Sequence, residues 1–248
     1  MSISVDLQDQ IALITLDRAP VNALDLPTMT ALIEAVAQSA QEARALVIAG
    51  RPGAFSAGID LKAMLAYGPE EHAAMLRGVN LLCLTLIQAP VPTVAAVTGH
   101  ALGGGLIIVA TCDRRIGVDG PGVYALPEVR AGIPFPRGAM GILRHALPPV
   151  AARRLGLCDE RVDAREALRL GLVDQLVAPD ALLPTARAEA RRLAALPARV
   201  LTQTRTALYA ELLHELSAGL AEQTRAEGWV GEDTTAAARG VLSGLAQR

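Results

Sequence analysis

The chain has 248 residues, 52% of them hydrophobic and 19% charged, with a formal net charge of -2 and a pI near 6.1. That balance excludes a basic nucleic-acid-binding surface, and no apolar run approaches the ~18 residues of a membrane span. Cys83, Cys112 and Cys158 are odd in number and widely spaced, which argues against a disulfide framework or a zinc site and predicts a cytoplasmic protein with buried thiols.

The N-terminal "MSISVDLQDQ" lacks the basic-then-apolar order of a signal peptide. "ISVDLQDQIALITLD" alternates apolar and polar residues around Gln8-Asp9-Gln10, which predicts a β-hairpin. In "DLPTMTALIEAVAQSAQEA", Asp25 stands at a helix N-terminus with Pro27 in the first turn. Leu32, Ile33, Val36 and Ala40 follow at helical spacing. "RALVIAG" is a short buried strand, and "RPGAFSAGIDLKAM" a loop running into a helix. A long apolar helix spans Glu70 to Gln88, "TVAAVTG" is another buried strand, and "GGGLIIVATCD" reads as the helix after it. Short strands separated by helices predict an α/β class. The last third is helical in pattern, with Pro179, Pro184 and Pro197 near helix starts. A boundary near residue 190 divides an α/β core, residues 1–190, from a helical region, residues 191–248, suited to packing on a partner subunit.

Two junctions carry the chemistry. Gly103, Gly104 and Gly105 lie between a strand and a helix, where bare backbone permits close approach of another group. The first turn of a helix also offers free N–H groups and the positive end of its dipole. Three readings compete: tight helix–sheet packing, a dinucleotide fingerprint, or an oxyanion hole. The fingerprint fails on spacing, because it needs a small residue where Ile108 stands. Ala57-Gly58, before a short helix beginning near Asp60, forms a second junction of the same kind. Donors from two such loops can flank one carbonyl oxygen.

"AFSAGIDLKAM", "PVPTVAAVTGHALGGGLIIVATCDRRI" and "LPEVRAGIPFP", in this order and spacing, resemble the crotonase superfamily, the enoyl-CoA hydratase/isomerase family. The match is collinear from the hairpin to about residue 180. The resemblance implies a spiral of ββα units with a C-terminal helical trimerisation region, giving a homotrimer or a hexamer made of two trimers. It implies an acyl-CoA substrate, with coenzyme A entering only as part of that substrate and no other cofactor. Its carbonyl would lie between the N–H groups of Ile59 and Gly104. Ala57, Ile59 and Lys62 match the wall that receives the CoA adenine and phosphates, and Lys62 is the one lysine in the chain. Gly58, Asp60, Gly103 and Ile107 complete the expected substrate-binding set.

Hydratases of this family hold their water with two glutamates. One matches Glu128 of "LPEV", after a one-residue insertion around "DGPG". The other position is Ile107, flanked by Leu106 and Ile108, so no carboxylate is available there. Hydration is well served by two positioned carboxylates, whereas moving a double bond from C3 to C2 of an acyl chain needs one that takes and returns a proton. Proton-shuttle chemistry through Glu128 is therefore favoured, in fatty acid or related acyl-CoA metabolism. A hydratase that recruits a carboxylate outside the motif and a non-catalytic acyl-CoA-binding oligomer are the alternatives. His100 and Tyr124 could shape the pocket or simply pack, Asp60 could be a helix cap, and Asp113 reads as structural. Phe135 and Pro136 would stiffen the acyl wall, and the residues leading to Arg248 lack the aromatic and lysine that often cover CoA.

Overall fold

Asp9 and Gln10, the turn between the first two strands, both take left-handed backbone, with φ of 51° and 61°. That geometry closes a two-residue hairpin between β1 (Ile3–Gln8) and β2 (Ile11–Leu16). The computed structural model describes residues 2–222 and 229–246; Arg248 lies outside them. In α1 (Leu26–Glu42) the Asp25 carboxylate accepts from the Thr28 N–H and Pro27 occupies the first turn. These are the start signals visible in the sequence.

A repeating pattern follows, in which one strand joins a large sheet, the next joins a small one, and helix returns the chain. The first turn is β3 (Ala45–Ala49), β4 (Gly53–Ser56), α2 (Leu61–Ala66) and α3 (Pro69–Ile87). The second is β5 (Thr93–Val97), β6 (Gly99–Leu102) and α4 (Gly104–Thr111). The third is β7 (Arg114–Val118), β8 (Tyr124–Ala125) and α5 (Glu128–Ala131). Then come α6 (Arg137–Ala146), α7 (Pro149–Gly156), β9 (Arg161–Val162), α8 (Ala164–Arg169), β10 (Gln175–Val177), α9 (Leu182–Ala194), α10 (Ala198–Leu208), α11 (Ala210–Glu222) and α12 (Glu232–Ala246). The large sheet has the order β1-β2-β3-β5-β7-β10, parallel after the hairpin, and the small one β4-β6-β8-β9, antiparallel only at β9. The fold is the expected spiral of ββα units.

Every residue of β3 and β5 is buried, because both faces of the large sheet are covered. One face packs on the main core. The other, through Ile11, Val47, Val94 and Ile116, meets Leu182, Ala186 and Ala190 of α9. Residue 190 therefore falls inside a helix that covers the sheet. Helix α11 packs on α3 and α6, and α12 on α2 and α5. Arg205 of α10 is buried and makes four hydrogen bonds, two to the Asp113 carboxylate and one each to the Ala89 and Val91 carbonyls. Asp113 thus anchors a helix from the last third of the chain.

The cysteine reading needs one correction. Cys83 and Cys112 are buried, and burial pushes both thiols up to about 12; Cys158 is exposed. It lies in the tight loop after α7, which leaves no core for it to enter. Among the described residues, no helix is long and apolar enough to cross a membrane, and no group of three His, Cys, Asp or Glu side chains could hold a metal.

Candidate functional site

Strands β4 and β6 are parallel neighbours, so the loops leaving their C-terminal ends emerge side by side, the usual place for a ligand in such sheets. The loop after β4 is pinned from below. Asn22 is fully buried, and its Nδ2 donates to the Ala54 and Phe55 carbonyls at 3.0 Å each. The Ser56 hydroxyl donates to the Asn22 carbonyl at 2.7 Å and accepts from the Gly58 N–H at 3.1 Å. Beyond the loop, the Asp60 carboxylate caps α2 through the Lys62 and Ala63 N–H groups and pairs with Arg18 at 2.8 Å. Arg18 also holds Asp25 at 3.0 Å. Sequence reasoning missed Arg18, Asn22 and Ser56, which share no motif spacing with the glycines they support.

The two junctions touch. Gly58 has φ +78°, and a Cβ there would lie 2.7 Å from the Leu102 carbonyl oxygen and 2.8 Å from the Gly104 nitrogen. Only glycine permits that approach. Leu24 pairs with this loop by donating to the Gly58 carbonyl at 2.8 Å and accepting from the Asp60 N–H at 3.0 Å. In a parallel bridge of this form the intervening Ile59 N–H points away from Leu24. A Cβ on Gly104 would lie 3.9 Å from that Ile59 nitrogen. Among the described residues, neither the Ile59 nor the Gly104 N–H meets an acceptor, while the Gly103 N–H is spent on the Ala125 carbonyl at 2.9 Å.

The three glycines answer to different demands. Gly105 is a packing residue, since its Cβ would stand 2.5 Å from the Ser56 carbonyl oxygen. Gly103 needs its left-handed φ of +50°, and its Cβ would lie 2.9 Å from Glu128 Oε1. Gly104 has neither constraint, with its nearest neighbours at 3.7 Å. It borders open space, partly exposed.

Glu128 begins α5, a single turn ended by Gly132 at φ +67°. It lines a cleft of ≈ 60 Å³ together with Ala57, Ile59, Leu61, Gly103 and Val241, and among the described residues no other ionisable side chain does. Its Oε2 is buried without a hydrogen-bond partner. Burial pushes its carboxyl up from 4.5 to about 7, and the negative charge of Asp159 pushes in the same direction.

The other expected residues divide. Ala57, Ile59 and Gly103 line the cleft beside Glu128. Gly58 and Asp60 stand behind it, as backbone contact and helix cap, and Lys62 is exposed on α2. Ile107 does not reach the cleft: it is 2% exposed within the main core, its N–H bonded to the Gly103 carbonyl. Tyr124 is a core residue, 1% exposed, with its hydroxyl pushed up by burial. His100 is exposed, and its Nδ1 accepts from the Val123 N–H at 3.1 Å. Phe135 packs partly buried against the core, and the Trp229 Nε1 donates to the Pro134 carbonyl at 3.0 Å. The Thr234 hydroxyl donates to the Gly132 carbonyl at 2.7 Å, so the last helix is tied to the wall that carries Glu128.

Comparison with known proteins places this geometry in context. The pattern of the enoyl-CoA hydratase/isomerase family matches residues 6–239. The chain is 36% identical over 183 residues to carnitinyl-CoA dehydratase from Salmonella arizonae, spanning 73% of this chain and 69% of that protein. The crystal structure of enoyl-CoA hydratase EchA3 from Mycobacterium ulcerans superimposes with a TM-score of 0.86 at 30% identity, covering 93% of this chain and all of that one. Human mitochondrial delta3-delta2-enoyl-CoA isomerase superimposes with a TM-score of 0.90 at 26% identity, covering 100% of this chain and 99% of that one.

Proposed function

This chain belongs to the enoyl-CoA hydratase/isomerase family, and we propose that within it the protein moves the double bond of a 3-enoyl-CoA to give the 2-enoyl-CoA. Two features support the reading: the acceptor-free N–H groups of Ile59 and Gly104 belong to junctions that touch, and Glu128 is, among the described residues, the one ionisable side chain lining the cleft beside Ile59 and Gly103. The thioester carbonyl accepts from Ile59 and Gly104. As the Cα–H bond breaks, the Glu128 carboxylate takes the proton and the electron pair forms an enolate, whose oxygen those fixed donors stabilise without reorganising. Reprotonation at Cγ by the same carboxyl places the double bond between Cα and Cβ. A carboxyl poised near neutral pH suits a group that must both accept and return a proton. The exposed Lys62, beside Ala57 and Ile59, serves the CoA phosphates.

The same reading extends to assembly. Leu196, Pro197, Val200, Leu201, Leu208 and Tyr209 line an open groove of ≈ 440 Å³, and Leu196, Val200 and Leu208 are exposed. A contiguous apolar surface of this kind favours cover by another copy of the chain. Light scattering on the full chain tests for the trimer or hexamer.

The reaction is tested with a panel of 3-enoyl, 2-enoyl, malonyl and 3-oxoacyl thioesters, with products identified by mass spectrometry and deuterium exchange followed at Cα. Conversion of 3-enoyl to 2-enoyl thioester with no net uptake of water into the product supports the isomerase. Net hydration of the 2-enoyl thioester, or binding with no turnover, overturns it.

A further inference from the structure

Among the described residues, Glu128 Oε2 is one of two buried carboxylate oxygens that stand without a hydrogen-bond partner; the other is Asp159 Oδ1. Their residues come together through the small sheet. The β8–β9 ladder pairs Ala125 with Arg161, which sets the residues just before β9 against those just after β8. The side chains then lock: Arg130, two positions past Glu128 on α5, binds Asp159 Oδ2 through both Nε and Nη2. That ion pair occupies one Asp159 oxygen and leaves the other unmet. The backbone at Asp159 is left-handed, with φ 51°. A non-glycine residue there costs about 1–2 kcal/mol, least for Asp and Asn, and such outliers point to a demand made by the site.

Asp159 also acts on Glu128 by its charge. Other charges near α5 are directed elsewhere. Glu160 is engaged by Arg154. Glu232, Asp233 and Arg239 of α12 are exposed, as are Arg161 of β9 and Lys62 of α2.

We propose that Asp159 is a second, positioning carboxylate of this site, set behind Glu128 by Arg130. This rests on reading Glu128 as the proton carrier. Two neighbouring carboxylates repel when both are ionised, and the repulsion ends when Glu128 takes a proton. Asp159 thereby favours the protonated form that follows Cα–H cleavage, while Arg130 limits how far. Asp159 itself does not touch the substrate: it is absent from the cleft lining.

The proposal predicts shifts of opposite sign. The rise of kcat/KM with pH is measured on full-length protein for the wild type, Asp159→Asn, Asp159→Gly and Arg130→Gln. Both Asp159 variants lower the midpoint of that rise, by ~1 on the pH scale, and Arg130→Gln raises it. Asp159→Gly guards against misfolding, because φ 51° suits glycine. Midpoints that stay put, or that all move one way, overturn the pair. A second readout is independent of turnover: the pH titration of the Glu128 carboxyl carbon in protein labelled with 13C-glutamate, assigned by its loss in Glu128→Gln. If the wild type proves inactive, the assigned reaction fails, and this titration alone decides for or against Asp159 by the same shifts.

Discussion

Glu128 Oε1 stands 2.9 Å from the point where a side chain on Gly103 would begin. The absent side chain of one residue is therefore the seat of the other's carboxylate. Gly103→Ala adds a methyl group at φ +50° and displaces that oxygen. We expect a loss of ~1–2 kcal/mol of stability from the backbone alone, read by urea denaturation, and a fall in isomerase turnover.

Gly104→Ala separates packing from chemistry. Its Cβ meets nothing closer than 3.7 Å, and alanine suits a helix start better than glycine. Stability should stay within ~0.5 kcal/mol of wild type. The methyl group nevertheless comes within 3.9 Å of the Ile59 nitrogen, so kcat should fall ~100-fold, as when an oxyanion donor is lost. Unchanged turnover would remove Gly104 from the site.

Glu128→Gln keeps the shape of the carboxyl and removes its proton chemistry. Isomerisation should drop at least ~100-fold. Activity within about threefold of wild type, against the ~100-fold minimum usual for such groups, would show that another group carries the proton.

The same residue sets two pH dependences. Glu128 must be ionised to accept the Cα proton, so kcat/KM rises with pH around a midpoint near 7. Stability runs the other way. Between 4.5 and about 7 the folded chain holds a proton that the unfolded chain has released, so stability falls as pH rises through that window. Glu128→Gln removes this slope and should exceed wild type at pH 8 by at most ~3 kcal/mol. Denaturation at pH 5 and pH 8 checks the sign.

Arg205 is 5% exposed and holds Asp113 together with two carbonyls. Arg205→Ala leaves those acceptors buried and should cost ~3 kcal/mol. Lysine offers one point charge in place of the planar fork and should recover only part of it.

The long elements were readable because their patterns span many residues: Asp25 and Pro27 announce α1, and the apolar runs announce β3 and β5. The small sheet was not. β8 and β9 have two residues each, too short for any period to register, yet they bring Glu128 and Asp159 together. Motif spacing singled out the glycines and Glu128, and the fold sets Gly103 against Glu128 at one cleft. Ile107, expected among the substrate-binding residues, instead packs in the core, where the first turn of α4 directs it. Arg18, Asn22 and Val241 act through contacts distant along the chain, which one sequence does not display.

The burial of Ile107 bears on ancestry. A glutamate at 107 would be the simplest mutational route to the paired carboxylates of a hydratase. In this molecule it would place a charge in the main core, where residue 107 is 2% exposed and an unpaired anion costs several kcal/mol. That is a large fraction of the roughly 5–15 kcal/mol by which a typical fold is stable. A lineage gaining that second carboxylate would first have to repack the glycine helix, so selection for folding alone can hold residue 107 apolar.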